Sequence, residues 1–224
     1  YRNGYDWPSG TGPTISQATI VSLENDVSNL NQSLNESSAH EIIVRISNWA
    51  GNNARAHGSI VGACRSTRKQ MLDAITMFKT PVSLRNAIDL LSDLPGVSLV
   101  IAAKIYRFVC PLVGAAVDRH ASYFFNSIDI SSAGHVGSKA LAFRREWATS
   151  DKRTSRLATY TSSGYSWNRE QYISRYLPLL SSVATSLNRQ NITYLCAATG
   201  RQLPWRPTDV EMAAYYWWAC NGAR

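Results

Sequence analysis

With 224 residues and 45% hydrophobic side chains, the chain is long enough to bury a substantial core, as one domain or as two helical lobes sharing a cleft. Lysine and arginine number 23 against 15 acids, a formal charge of +8, and arginine supplies 18 of the cations; this favours phosphate-bearing partners, though a solvated basic surface carries the same charge. Cys64, Cys110, Cys196 and Cys220 form no CxxC pair, which excludes a zinc knuckle or an iron–sulphur loop and fits reduced, buried thiols in a cytoplasmic protein.

Residues 1–14 are rich in Gly, Pro and aromatic side chains and are expected to drape over the fold; they hold no apolar stretch of the kind that marks a signal peptide. Weak helical periodicity over 15–34 is followed by denser runs at 41–49 (EIIVRISNW) and 66–78 (STRKQMLDAITMF). Within 82–91 (VSLRNAIDLL), Leu84, Ala87, Ile88 and Leu91 share one helical face. Pro95 and Gly96 stop that helix, because proline cannot continue it and glycine accepts backbone angles that other residues resist. The spacing predicts a second helix over 99–110 (LVIAAKIYRFVC). After Pro111 and Gly114, Asp118 stands at the N-cap of a third, 119–125. The apolar stretch 97–117 is interrupted by Lys104, Arg107 and Pro111, so no membrane span is expected.

Residues 126–166 break the pattern with Ser, Thr and Gly. Between Lys139 and Arg156 they hold six cations (Lys139, Arg144, Arg145, Lys152, Arg153, Arg156) against Glu146 and Asp151. Such a basic insertion suits contact with a nucleic-acid backbone, or else a solvated loop. Helical spacing returns over 167–187 and 208–220, the last opening on Thr208-x-x-Glu211, the pattern of a capping box, and closing at Gly222. With few strand signals and no internal repeat, the expected class is mostly α.

The unpaired N–H groups that start the 99–110 helix lie at the positive end of its dipole and suit a phosphate. Gly96, lacking a Cβ, would let a nucleic-acid backbone come close. A helix N-terminus also favours the ionised form of Asp118. A preorganised carboxylate can stabilise the positive charge that builds on a sugar as an N-glycosidic bond breaks, and can orient the attacking water. Simple helix capping would use the same residue.

The run Leu94-Pro95-Gly96-Val97-Ser98, followed by Val117-Asp118-Arg119-His120, resembles the signature of the helix-hairpin-helix DNA glycosylases, L-P-G-V-G, a helix, then V-D-x-H. The resemblance spans 83–125 of residues 1–224. It implies a mostly α, two-lobed fold around a cleft, double-stranded DNA as partner, a monomer, and no cofactor beyond a K+ or Na+ ion on the hairpin backbone. It gives catalysis to Asp118 and DNA contact to His120, which belongs to the motif and is expected to order the helix start rather than to transfer protons. Phosphate contact falls to Pro95, Gly96, Val97, Ser98 and Val100. A weaker similarity at NNARAHG is to the helix start of 8-oxoguanine glycosylases, and it places Asn52 and Asn53 beside the vacated base stack and Arg55 on the orphaned opposite base.

Three departures stand out. Ser98 replaces the second hairpin glycine. Val100 occupies the position of the Schiff-base lysine of bifunctional members, so a monofunctional enzyme using activated water is expected; Lys104, one turn further on the same face, is the alternative amine. Tyr123 stands where relatives often carry arginine. The 52–58 similarity points to the 8-oxoguanine branch. The compact chain, the absent lysine, the basic insertion and the WRPTDVEMAAYYWW ending resemble instead a bacterial anti-phage offshoot directed at bulky modified cytosines such as α-glucosyl-hydroxymethylcytosine. The expected activity is therefore excision of a modified base. The alternatives are repair of 8-oxoguanine or another damaged base, a non-catalytic helix-hairpin-helix DNA-binding module, and an RNA-directed or purely structural helical protein. Trp205, Tyr215, Tyr216, Trp217 and Trp218 could stack on a flipped base, but their spacing assigns most of them to the core. His57 shows no ligand spacing.

Overall fold

The computed structural model describes residues 17–51, 54–127, 143, 145–147, 155–157 and 164–221. Among these the chain is mostly helical, as its periodicity predicts. The helices are α1 (Gln17–Gln32), α2 (Glu36–Trp49), α3 (Ala54–Val61), α4 (Arg65–Phe78), α5 (Leu84–Ser92), α6 (Leu99–Val109), α7 (Arg119–Ser127), α8 (Tyr165–Gln171), α9 (Leu177–Arg189) and α10 (Pro207–Asn221). α2 begins earlier than its apolar run because Asn35 caps it: the Asn35 side chain accepts the Ser37 and Ser38 amides, and the Ser38 hydroxyl accepts the Asn35 amide at 2.8 Å. α5 buries the face expected of it, Leu84, Ala87, Ile88 and Leu91.

Two short antiparallel hairpins lie outside the helical prediction. β1 (Arg145–Trp147) pairs with β2 (Ser155–Leu157), and β3 (Tyr194–Cys196) pairs with β4 (Arg201–Leu203). Three-residue strands are too short to show alternation in a sequence. β1 and β2 fall within the basic stretch 126–166. Lys139, Arg144, Asp151, Lys152 and Arg153 of that stretch lie outside the described residues, as do 1–14, Asn52, Asn53 and Gly222.

The capping box expected at Thr208 is corrected. Pro207 opens α10, and Asp209 accepts the Arg206 amide at 3.0 Å, so Thr208 already sits inside the first turn. Its hydroxyl instead accepts Arg107 Nε at 2.6 Å. The cysteines are free, but Cys64 and Cys220 are exposed, against the expectation of buried thiols. No helix among the described residues is long and apolar enough to cross a membrane.

α1 to α6 pack on one another while α10 packs on α7 and α9, and one apolar cluster, from Ile20 to Tyr215, runs through both groups. The helix before the hairpin is tied to the later group by polar contacts. Asp89 on α5 accepts the Tyr165 hydroxyl at 2.9 Å and pairs with Arg169, and Arg85 pairs with Glu170 at 2.6 Å.

Between α5 and α6 the chain turns at Pro95 and Gly96. The Leu94 carbonyl accepts the Val97 amide at 3.1 Å, and Gly96 has φ +85°, as the third residue of a type II turn requires. The space left by its missing Cβ is filled by the protein itself. A Cβ at Gly96 would lie 2.3 Å from the Ala56 carbonyl oxygen on α3. The close approach at Gly96 is thus made by α3. Gly96→Ala combines a left-handed backbone with that clash, and should cost at least about 2 kcal/mol in chemical denaturation. A loss within about 0.5 kcal/mol would mean that α3 does not press on the hairpin as described.

Candidate functional site

The residues of the hairpin have distinct placements. Pro95 is exposed, Gly96 and Val100 are half-buried, and Val97 is fully buried with its amide committed to the turn. Ser98, the departure from glycine, is the N-cap of α6, its hydroxyl accepting the Ile101 amide at 3.4 Å. The carbonyls of Leu94 and Ser98 each accept one backbone N–H and keep a second lone pair, so the turn offers the donor type a monovalent cation takes. The contact of Gly96 with Ala56 sets the start of α3, including exposed Arg55, against this turn. Asn52 and Asn53 lie outside the described residues.

Asp118 caps α7 as its position predicts. Oδ1 accepts the Ala121 amide at 2.9 Å, and the Asp118 carbonyl accepts the Ser122 amide at 3.0 Å. The side chain is 6% exposed, and Oδ2 is buried and accepts no hydrogen bond from the described residues. A buried carboxylate oxygen left in this state calls for an explanation. Its surroundings supply charge. Lys104, 2% exposed in the middle of α6, acts on Asp118 electrostatically, and so does His120.

Burial pushes the Lys104 amine down to about 8, against the pull of Asp118 and Glu211, with Arg107 adding to the fall. Burial likewise raises the Asp118 carboxyl above its ordinary value; Lys104, the Ala121 amide and His120 oppose this without cancelling it. The helix N-terminus was expected to favour the carboxylate outright. Desolvation outweighs it here, so the group is a stronger base than an exposed aspartate.

The Lys104 amine also lies over the Trp49 ring, 5.5 Å from its centroid, and the Arg107 guanidinium is 5.6 Å from the same ring and 4.2 Å from that of Phe108. Arg107, 1% exposed, further binds Glu24 at 3.3 Å and Thr208. Two cations and the carboxylates that answer them thus meet inside the protein, drawn from α1, α6, α10 and the segment before α7.

His120 and Tyr123 are both half-buried on α7. His120 makes an edge contact with Tyr215 at 4.9 Å and Tyr123 stacks on Trp218 at 5.7 Å. Phe124 meets Trp217 and Tyr194 meets Trp205, so most of the C-terminal rings pack against neighbouring elements, as their spacing suggested. His57 Nδ1 lies 3.2 Å from Ser47 Oγ. Among the described residues no cluster of His, Cys, Asp or Glu has the make-up of a metal site.

Sequence reasoning missed Glu211, Arg107 and Trp49 as members of this cluster. The signal was present: two cations three residues apart in the otherwise apolar LVIAAKIYRFV, and an acid within VEMAA, each demanding a buried partner. Comparison with protein-family models, curated proteins and solved structures returns no match for this chain.

Asp118→Asn keeps an oxygen for the Ala121 amide but removes the negative charge beside Lys104. The Lys104 amine should then titrate below its present value of about 8, which a titration of the lysine side-chain 13C and 15N resonances would show. An unchanged value would dissolve the pairing.

Proposed function

We propose that this chain is a monofunctional DNA N-glycosylase, acting as a monomer on duplex DNA. It extrudes a modified nucleotide and hydrolyses the bond between base and deoxyribose, leaving an abasic site. The observation that carries the proposal is the environment of Asp118: a desolvated carboxylate at the N-terminus of α7, one oxygen held by the Ala121 amide and the other buried without a hydrogen bond from the described residues. In the reaction the C1′–N bond breaks with its electron pair departing on the base. Positive charge builds on the sugar, water adds to C1′, and Asp118 accepts the water proton. The raised proton affinity suits a base, and the nearby Lys104 charge opposes that rise and favours the ionised form. Val100, at the position of the Schiff-base lysine of the family the sequence resembles, supplies no amine, in keeping with hydrolysis and not imine formation. The Pro95–Gly96 turn and the start of α6 would hold phosphates, with Arg55 near the vacated stack. For the substrate we favour a bulky modified cytosine of the α-glucosyl-hydroxymethylcytosine type over 8-oxoguanine.

The same burial favours a second reading. A carboxyl group kept protonated caps α7 and does nothing to a sugar, which would leave a helix-hairpin-helix module that binds DNA without chemistry.

Mass spectrometry of bases released from oxidised, alkylated and glucosylated phage DNA, with wild type and Asp118→Asn side by side, separates the two. Release of one free base by wild type, slowed about 10²- to 10⁴-fold by the substitution, is the expected result. Equal release by both proteins would remove Asp118 from the chemistry; salt-sensitive binding with no release would leave the binding module. The excision rate should also rise with pH through a carboxyl group titrating above the ordinary aspartate range. Lys104→Met, by removing the charge that favours the carboxylate, should move that rise to higher pH. A rise centred near the ordinary value in both proteins would count against the buried environment acting on the base.

A further inference from the structure

Residues 114–118 join α6 to α7, and all five are buried. The segment lies outside every described strand, so the hydrogen bonds of its carbonyls have to come from elsewhere. Two side chains supply them. Tyr172 Oη donates to the Ala115 carbonyl at 2.7 Å, and Tyr176 Oη donates to the Ala116 carbonyl at 2.9 Å. Both tyrosines are 0% exposed. The carbonyls they hold lie two and three residues before Asp118.

The tyrosines are not in an ordinary helix. Between α8 and α9 the backbone widens over Tyr172–Tyr176, and the Leu177 amide bonds to the Tyr172 carbonyl five residues back. Pro178 follows at once. Proline cannot donate to the carbonyl four residues before it, and its ring crowds that carbonyl, so the preceding turn opens. The YISRYLP run therefore builds the widened turn and places both phenols on it. Tyr176 also packs edge-on against Phe125 of α7 at 5.3 Å and against Phe143 at 5.8 Å. One element thus grips the chain just before Asp118 and the helix that Asp118 caps.

We infer that Tyr172 and Tyr176 are positioning residues for Asp118, their hydroxyls fixing the 115–116 backbone so that the carboxylate meets the Ala121 amide and faces its substrate at a set angle. The catalytic part of this inference rests on the glycosylase reading; the positional part does not. Small displacements of a reacting group cost large factors in rate, so two hydrogen bonds on adjacent carbonyls have a measurable reach.

Tyr172→Phe and Tyr176→Phe remove only the hydroxyls and keep the rings in the core. Each is compared with wild type in single-turnover excision, in affinity for the same DNA, and in titration of the Asp118 carboxyl 13C resonance. Each substitution should slow excision about tenfold, and the pair about 100-fold, with affinity unchanged. The Asp118 titration should move to higher pH as its hold on the Ala121 amide loosens. Variants that lose stability while excision rate and Asp118 titration stay at wild-type values would overturn the inference. If wild type releases no base, the glycosylase reading fails by itself and the titration alone decides the inference. If a double variant does not fold, the single variants carry the test.

Discussion

The packing centres on a helix that buries almost all of its circumference and yet carries two cations. α6 encloses Leu99 and every residue from Ile101 to Val109, Lys104 and Arg107 among them. A buried charge without partners costs several kcal/mol, so partners must be brought from other elements. Arg107 draws Glu24 from α1 and Thr208 and Met212 from α10, while Arg206, just before α10, shares Glu24 and binds Asp209. Lys104 is answered by Asp118 and Glu211. Because the two cations lie three residues apart on one helix, meeting both demands places α1, α10 and the entry to α7 together.

That balance also sets the chemistry open to Asp118. A carboxylate alone in such a place would stay protonated; one beside an ammonium ion can ionise while remaining a stronger base than its exposed counterpart. Orientation comes from the backbone on both sides, from the Ala121 amide ahead and from two phenols that hold Ala115 and Ala116 behind. The hairpin depends on a separate constraint, the contact of Gly96 with the Ala56 carbonyl, which leaves no room for a side chain at that turn.

Much of this was legible in the sequence, and the boundary is physical. Long apolar periodicities gave most of the helices but not α3, and ran α8 and α9 together as one; Pro95 and Gly96 gave the turn, and Asp118 gave the start of α7. Local chemistry fixes all of these. What depended on distant partners was not legible. Thr208 and Glu211 have capping-box spacing, but Pro207 sets the helix start earlier and the demands of Arg107 and Lys104 take both side chains. Ser98 looked like a weakened glycine and is a cap. The upward shift of Asp118 reverses the expectation from the helix dipole, because burial is a property of the assembled core. The widened turn before Pro178 was in principle readable, since a proline inside an apolar helix must disturb the carbonyl four residues back.

The most direct measurement is a crystal structure of Asp118→Asn bound to duplex DNA carrying one glucosylated hydroxymethylcytosine. If Asp118 acts on a deoxyribose, that nucleotide will be extruded with its C1′ beside residue 118, and its flanking phosphates will rest on the Pro95–Gly96 turn and the start of α6. A modified base still stacked in the duplex, or DNA bound on a face remote from Asp118, would contradict the central claim.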